Sequence, residues 1–178
     1  MVRIRAIVGV LWAVVFCFCA SVSAEPDMPS ASTALLNRLT GTWVLRGTIA
    51  GKATTHDVQA AWVLNHEYLQ LHEISREKNA GGGPAYEAIV YIGWDAKAQQ
   101  YVCLWLDSTS GDGLSSGVIA RANQAGDSIP FIFTLSASDQ IHTTLSYDKA
   151  ADTWQWLIDN VGGGRTERFA NVTLNRLR

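Results

Sequence analysis

From Gly41 to the C-terminus, hydrophobic and polar residues alternate with a period of two. Gly, Asn, Asp and Pro punctuate the alternation at short intervals. That period places successive side chains on opposite faces of a strand, and those residue types form tight turns. The pattern predicts ten strands, at about 42–50, 54–64, 67–77, 85–94, 100–108, 113–122, 129–136, 139–148, 153–160 and 165–176. Connections this short join antiparallel neighbours in an up-and-down order. Ten strands in an open sheet would leave two long edges, so closure into a barrel is expected. One helical segment precedes the strands. Ser32 or Thr33 can cap it, it runs to about Leu39, and Leu35, Leu36 and Leu39 share a face. It is expected to plug one barrel end.

Alternation also assigns the inward face. A tight turn at Asn65-His66 pairs Trp62 with Leu69, Ala60 with Leu71 and Val58 with Glu73. The expected inward set holds Trp43, Trp62, Trp94, Trp105, Trp154 and Trp156, which are all the tryptophans after Trp12. Leu64, Leu135, Ala170, Val172, Leu174 and Arg176 are expected on the same face. Aromatics fill barrels because they bury large areas, and they also line cavities for flat or apolar ligands. Val102, Leu104, Leu106, Ile89 and Tyr91 fall on the outer face, which implies either a homodimer patch or a register error in the fifth strand.

Polar residues on an inward face carry more information, since a buried charge is costly unless paired. The lumen candidates are His56, Trp62, Glu73, Tyr86, Trp105, Asp107, Tyr147, Trp156 and Arg168. His56 and Glu73 come out as diagonal neighbours across a hairpin, within side-chain reach. Their pairing can serve a structural hydrogen bond, ligand recognition or acid/base catalysis. Arg168 and Asp107 are expected to neutralise one another. Asp95 and Asp148, each at the start of a five-residue connection between aromatics, read as turn initiators.

The first 24 residues change the compartment. Arg3 and Arg5 precede an apolar run from Ile7 to Phe18, and Val22-Ser23-Ala24 offers a cleavage site before Glu25. This reads as a secretory signal, weighed against an uncleaved anchor or a lipoprotein signal using Cys17 or Cys19. Residues 25–33 read as a flexible lead. Cleavage leaves 154 of the 178 residues and, by removing two arginines, shifts the net charge from −2 to −4. One domain follows, burying roughly 70% of its unfolded surface. No basic stripe points to nucleic acid. Cys103 alone remains, which excludes an internal disulfide, and no Cys/His zinc spacing occurs. No G-x-S-x-G, H-E-x-x-H or phosphate loop is present, and Gly81-Gly82-Gly83-Pro84 and Gly162-Gly163-Gly164 read as hairpin loops. No catalytic residue is assigned.

Gly41-Thr42-Trp43 after a short helix resembles the G-x-W signature of lipocalin-like (calycin) barrels. Trp62-Val63-Leu64-Asn65 with Tyr68-Leu69-Gln70, then Gly93-Trp94-Asp95, then Tyr101-Val102 leading to Trp105-Leu106-Asp107, resemble a bacterial lipocalin-like family, domain of unknown function 1579. The resemblance covers about residues 35–176. It implies a calycin barrel, a small apolar ligand, and Arg176 packed over Trp43 at the closed end. The related nitrobindin-like barrels hold haem through a His on a late strand. Here the last His is His142, expected to face outward, so haem is not expected. The signal, the closed sheet, the aromatic lumen and the few inward polar groups together point to a secreted or periplasmic barrel that binds a small, largely apolar molecule. The alternatives are a ligandless dimerising barrel or an acid/base enzyme using the lumen groups.

Overall fold

A computed structural model describes residues 30–109, 114 and 116–177. The signal and most of the lead lie outside the described residues. The chain forms a helix α1 (Ser30–Leu39) and ten strands: β1 (Gly41–Ile49), β2 (Lys52–Val63), β3 (Tyr68–Ser75), β4 (Glu87–Asp95), β5 (Gln100–Asp107), β6 (Ile119–Ala122), β7 (Ser128–Thr134), β8 (Asp139–Asp148), β9 (Thr153–Gly162) and β10 (Arg165–Arg176). All neighbours pair antiparallel, and β1 pairs with β10, from Trp43 opposite Arg176 to Ile49 opposite Ala170. The sheet is a closed barrel without free edges.

The expected hairpin pairs occur as read: Trp62 with Leu69, Ala60 with Leu71, Val58 with Glu73. The turn itself is longer than expected. Leu64, Asn65 and His66 all have positive φ, and the four residues 64–67 form the connection. One residue leaves each strand, so the register is unchanged, but Leu64 is thrown outward into solvent. Leu135 lies just beyond β7 and is exposed as well. The sixth strand is shorter than expected: a 3-10 turn at Ser116–Val118 takes up the residues before Ile119. Asp95 and Asp148 initiate their turns, accepting the N–H groups of Lys97 and Ala98 and of Ala150 and Ala151.

The helix begins at Ser30, earlier than its expected cap, and seals one end of the barrel. Leu35, Leu36 and Leu39 are buried against Trp43, Tyr101 and Trp154. Donors of the barrel fasten it. Trp43 Nε1 donates to Leu39 O (2.7 Å), Trp154 Nε1 to Arg38 O (3.3 Å), Tyr101 Oη to Ser32 O (3.1 Å) and Trp62 Nε1 to Asn37 Oδ1 (2.6 Å). Arg176 Cζ lies 3.9 Å from the centroid of the Trp43 ring, as expected. Cys103 is a buried core residue, and burial pushes its thiol pKa up, which keeps it in the unreactive form.

Gly47 sits where β1 crosses the closing strand. With φ of 152°, an added Cβ would lie 2.2 Å from Asn171 O and 2.7 Å from Val172 Cα. These are backbone atoms of the closing seam and cannot swing aside. Gly47→Ala is therefore expected to cost about 2 kcal/mol by prising β1 from β10. Urea unfolding followed by tryptophan emission measures it.

Candidate functional site

β10 contains the main departure from strict alternation. Its register to β9 shifts between Arg168 and Ala170, leaving Phe169 as an extra residue. A bulge of one residue reverses the facing of everything beyond it. Ala170, Val172 and Leu174 point inward as expected, but Thr166 and Arg168 point outward. Arg168 Nε donates to Asp159 Oδ1 at 2.7 Å on the outer surface and never reaches Asp107. The expected Arg168–Asp107 pair does not form. Arg165 and Glu167 take the mouth-facing positions instead.

Six of the nine candidates gather in one region: His56, Glu73, Tyr86, Trp105, Asp107 and Trp156. β2 and β3 hold the His56–Glu73 pair on adjacent strands, and both residues are 3% exposed. His56 Nδ1 donates to Glu73 Oε1. His56 Nε2 lies 2.7 Å from Thr54 Oγ1, and Thr54 gives its own proton to Glu77 Oε2 at 3.0 Å. With that proton committed to Glu77, Nε2 faces the Thr54 hydroxyl oxygen as a donor. Burial works against the charge on Glu77. Its own N–H, that of Thr55, the Thr54 hydroxyl and the positive His56 outweigh it and hold the carboxyl below its ordinary range. The result is a line of groups from the buried Glu73 to the exposed rim at Glu77.

Tyr86 stacks on His56, with ring centroids 5.6 Å apart and planes inclined by 24°. Ser75 Oγ accepts the Tyr86 N–H and fixes its backbone. Burial, then the carboxylates of Glu73 and Asp107, push the Tyr86 pKa up, so the phenol stays protonated. Its oxygen accepts Trp105 Nε1–H at 3.2 Å. Among the described residues the phenolic proton has no acceptor. Trp105, from β5, meets Trp156, from β9, across the interior at 5.3 Å between centroids. Trp156 is 2% exposed and its Nε1–H has no hydrogen-bond partner.

The other three candidates do not join. Trp62 faces inward near the closed end, bound to Asn37 and stacked on His66. Tyr147 packs on Trp154 and donates to Asp152, also towards that end. Arg168 is outside. Thr54, Ser75 and Glu77 belong to the network and were not foreseen. Thr54 and Ser75 lie two residues from His56 and Glu73 on the same strands, which was the available signal.

Two pockets open on the surface, and of the clustered candidates only Asp107 lines either of them. One, of about 410 Å³, opens at the mouth between β7 and β10 and is lined by Asp139, Gln140, Asn160, Arg165 and Glu167 with Leu135, Val161 and Gly162. The other, of about 320 Å³, lies on β4 and β5 around Ile89, Tyr91, Leu106 and Asp107. Among the described residues no group of three or more His, Cys, Asp or Glu could hold a metal ion, and no helix is long and apolar enough to cross a membrane. His142 lies on the outer face and contacts Gln140 Oε1 at 2.9 Å. No family model matches this chain, and no curated protein matches it at a significant level.

Proposed function

We propose that this barrel binds a small, largely apolar molecule through its open half, and that it does so outside the cytoplasm after the signal at residues 1–24 is removed. The observation that carries the reading is the Trp156 indole N–H, buried in the interior without a partner. A buried donor left unpaired costs about 1–3 kcal/mol. A ligand acceptor would remove that cost. The surroundings suit the same purpose: Trp105, Trp156 and Tyr86 supply flat apolar surface, and a few polar groups fix orientation. The closed end, by contrast, is filled by leucines and indoles, and Trp43 and Trp154 donate to α1 there, while the Trp94 N–H beside Tyr101 is left unpaired. The lipocalin-like resemblance of the Gly41-Thr42-Trp43 segment is consistent with this use.

The test is mass spectrometry, under native and denaturing conditions, of protein purified from its own host. A retained small molecule is expected in stoichiometric amount, and its loss should change tryptophan emission. Trp105→Ala should abolish retention while leaving the fold intact by circular dichroism. A barrel that carries nothing, and whose emission no apolar compound perturbs, would refute the proposal.

The outer wall favours a second reading, a barrel that dimerises. Leu104 pairs with Tyr91 and Ile119, and Leu106 with Ile89, so the fifth strand keeps its expected register and its apolar side chains do face outward. Ile119 is 48% and Ile132 44% exposed on the adjoining strands. A contiguous apolar face of this kind marks association surfaces. If it joins two copies, the protein sediments as a dimer and Leu104→Asp as a monomer. Identical monomeric behaviour of both would dismiss the dimer.

A further inference from the structure

We infer that the ligand is a neutral, planar compound carrying a carbonyl-type oxygen, received by Trp156 Nε1–H and Tyr86 Oη–H, and that carboxylates are excluded. This rests on the binding reading above and narrows its chemistry. Among the described residues the buried indole N–H groups of Trp94 and Trp156 and the phenolic proton of Tyr86 are unspent, and two of the three border Trp105: Tyr86 through its oxygen, Trp156 through its ring. Unspent donors select a ligand with an acceptor, since pairing them removes a desolvation penalty that a hydrocarbon leaves in place.

The charge around them decides which acceptor. Glu73 and Asp107 lie near the Tyr86 phenol, and Glu77 stands behind His56. His56 is already committed to Glu73 and Thr54. Arg168, which could have balanced Asp107, is on the outer surface with Asp159. Arg176 is occupied at the closed end by Asp152. Among the described residues an incoming carboxylate meets more carboxylates than cations, with Arg165 at the mouth set against Asp139 and Glu167. A ketone, lactone or quinone oxygen accepts the same two hydrogen bonds without that repulsion. The indoles of Trp105 and Trp156, packed on each other with planes inclined by 52°, offer aromatic surface suited to a flat body.

Equilibrium dialysis at pH 7 with three probes of one skeleton provides the test: 2-ethylnaphthalene, 2-acetylnaphthalene and 2-naphthoate. The ketone should bind roughly fivefold or more tightly than the hydrocarbon, in line with one or two net hydrogen bonds. The carboxylate should bind at least about tenfold more weakly than the ketone. Tyr86→Phe should lower the ratio of ketone to hydrocarbon affinity towards one, and Trp156→Phe should also reduce the ketone's advantage. Equal binding of ketone and hydrocarbon, or tightest binding of the carboxylate, would overturn the inference while the binding proposal stands. Failure of all three to bind would overturn both.

Discussion

Glu73→Ala should lower the unfolding free energy by about 3–5 kcal/mol, the range for removing one partner of a buried ion pair. Glu73 and His56 are each 3% exposed, so neither can turn to water for compensation. Without the carboxylate, His56 Nδ1 is left buried with no partner. The ring is then free to tilt away from Thr54, which is shared with Glu77, so the loss spreads along the network. Glu73→Gln, which keeps an acceptor oxygen, should cost less, about 2 kcal/mol. A double-mutant cycle with His56→Ala, read by urea unfolding, should show strong positive coupling. Additive losses would mean the two side chains do not act as a pair.

Arg176→Ala should cost about 3 kcal/mol and, for a domain of this size, lower Tm by roughly 6–12 °C. The guanidinium donates to Thr40 O (2.7 Å), Arg38 O (2.8 Å) and both carboxylate oxygens of Asp152 while lying over the Trp43 ring. Hydrogen bonds to a charged group contribute about 1.5–3 kcal/mol, and a partly desolvated cation over an indole about 1–2 kcal/mol. The side chain ties the helix terminus, β1, the β8–β9 turn and β10 together. A lysine cannot present the same planar fork, so Arg176→Lys should recover only part of the loss. The expected phenotype is specific: α1 loosens, and the amide of Leu39 exchanges faster with solvent than those of the central strands. Uniform exchange across the barrel would assign Arg176 no special role in sealing the end.

Face was legible in the sequence and depth was not. Alternation is local, so the inward positions of Trp43, Trp94, Trp105, Trp154 and Trp156 followed from period two, and the turn at residues 64–67 preserved the pairing of His56 and Glu73 even though its length was misjudged. How high a residue sits in the barrel depends on strand tilt and stagger around the whole sheet. That is why Trp62 and Tyr147 share the face of the cluster but lie towards the sealed end. The Phe169 bulge has no signature in Glu167-Arg168-Phe169-Ala170. It moved Arg168 outside and so reversed the expected charge balance of the interior. Thr54, Ser75 and Glu77 become functional candidates only once β2 and β3 are aligned, because their partners lie across the hairpin.

The most direct measurement is a ¹H–¹⁵N spectrum of the indole N–H groups during titration with 2-acetylnaphthalene. The Trp156 resonance should move saturably downfield as its proton gains an acceptor, the Trp105 resonance should shift with it, and that of Trp43, bonded to Leu39 O, should hold still. An unmoved Trp156 signal, with shifts confined to residues on the outer wall, would contradict the interior site.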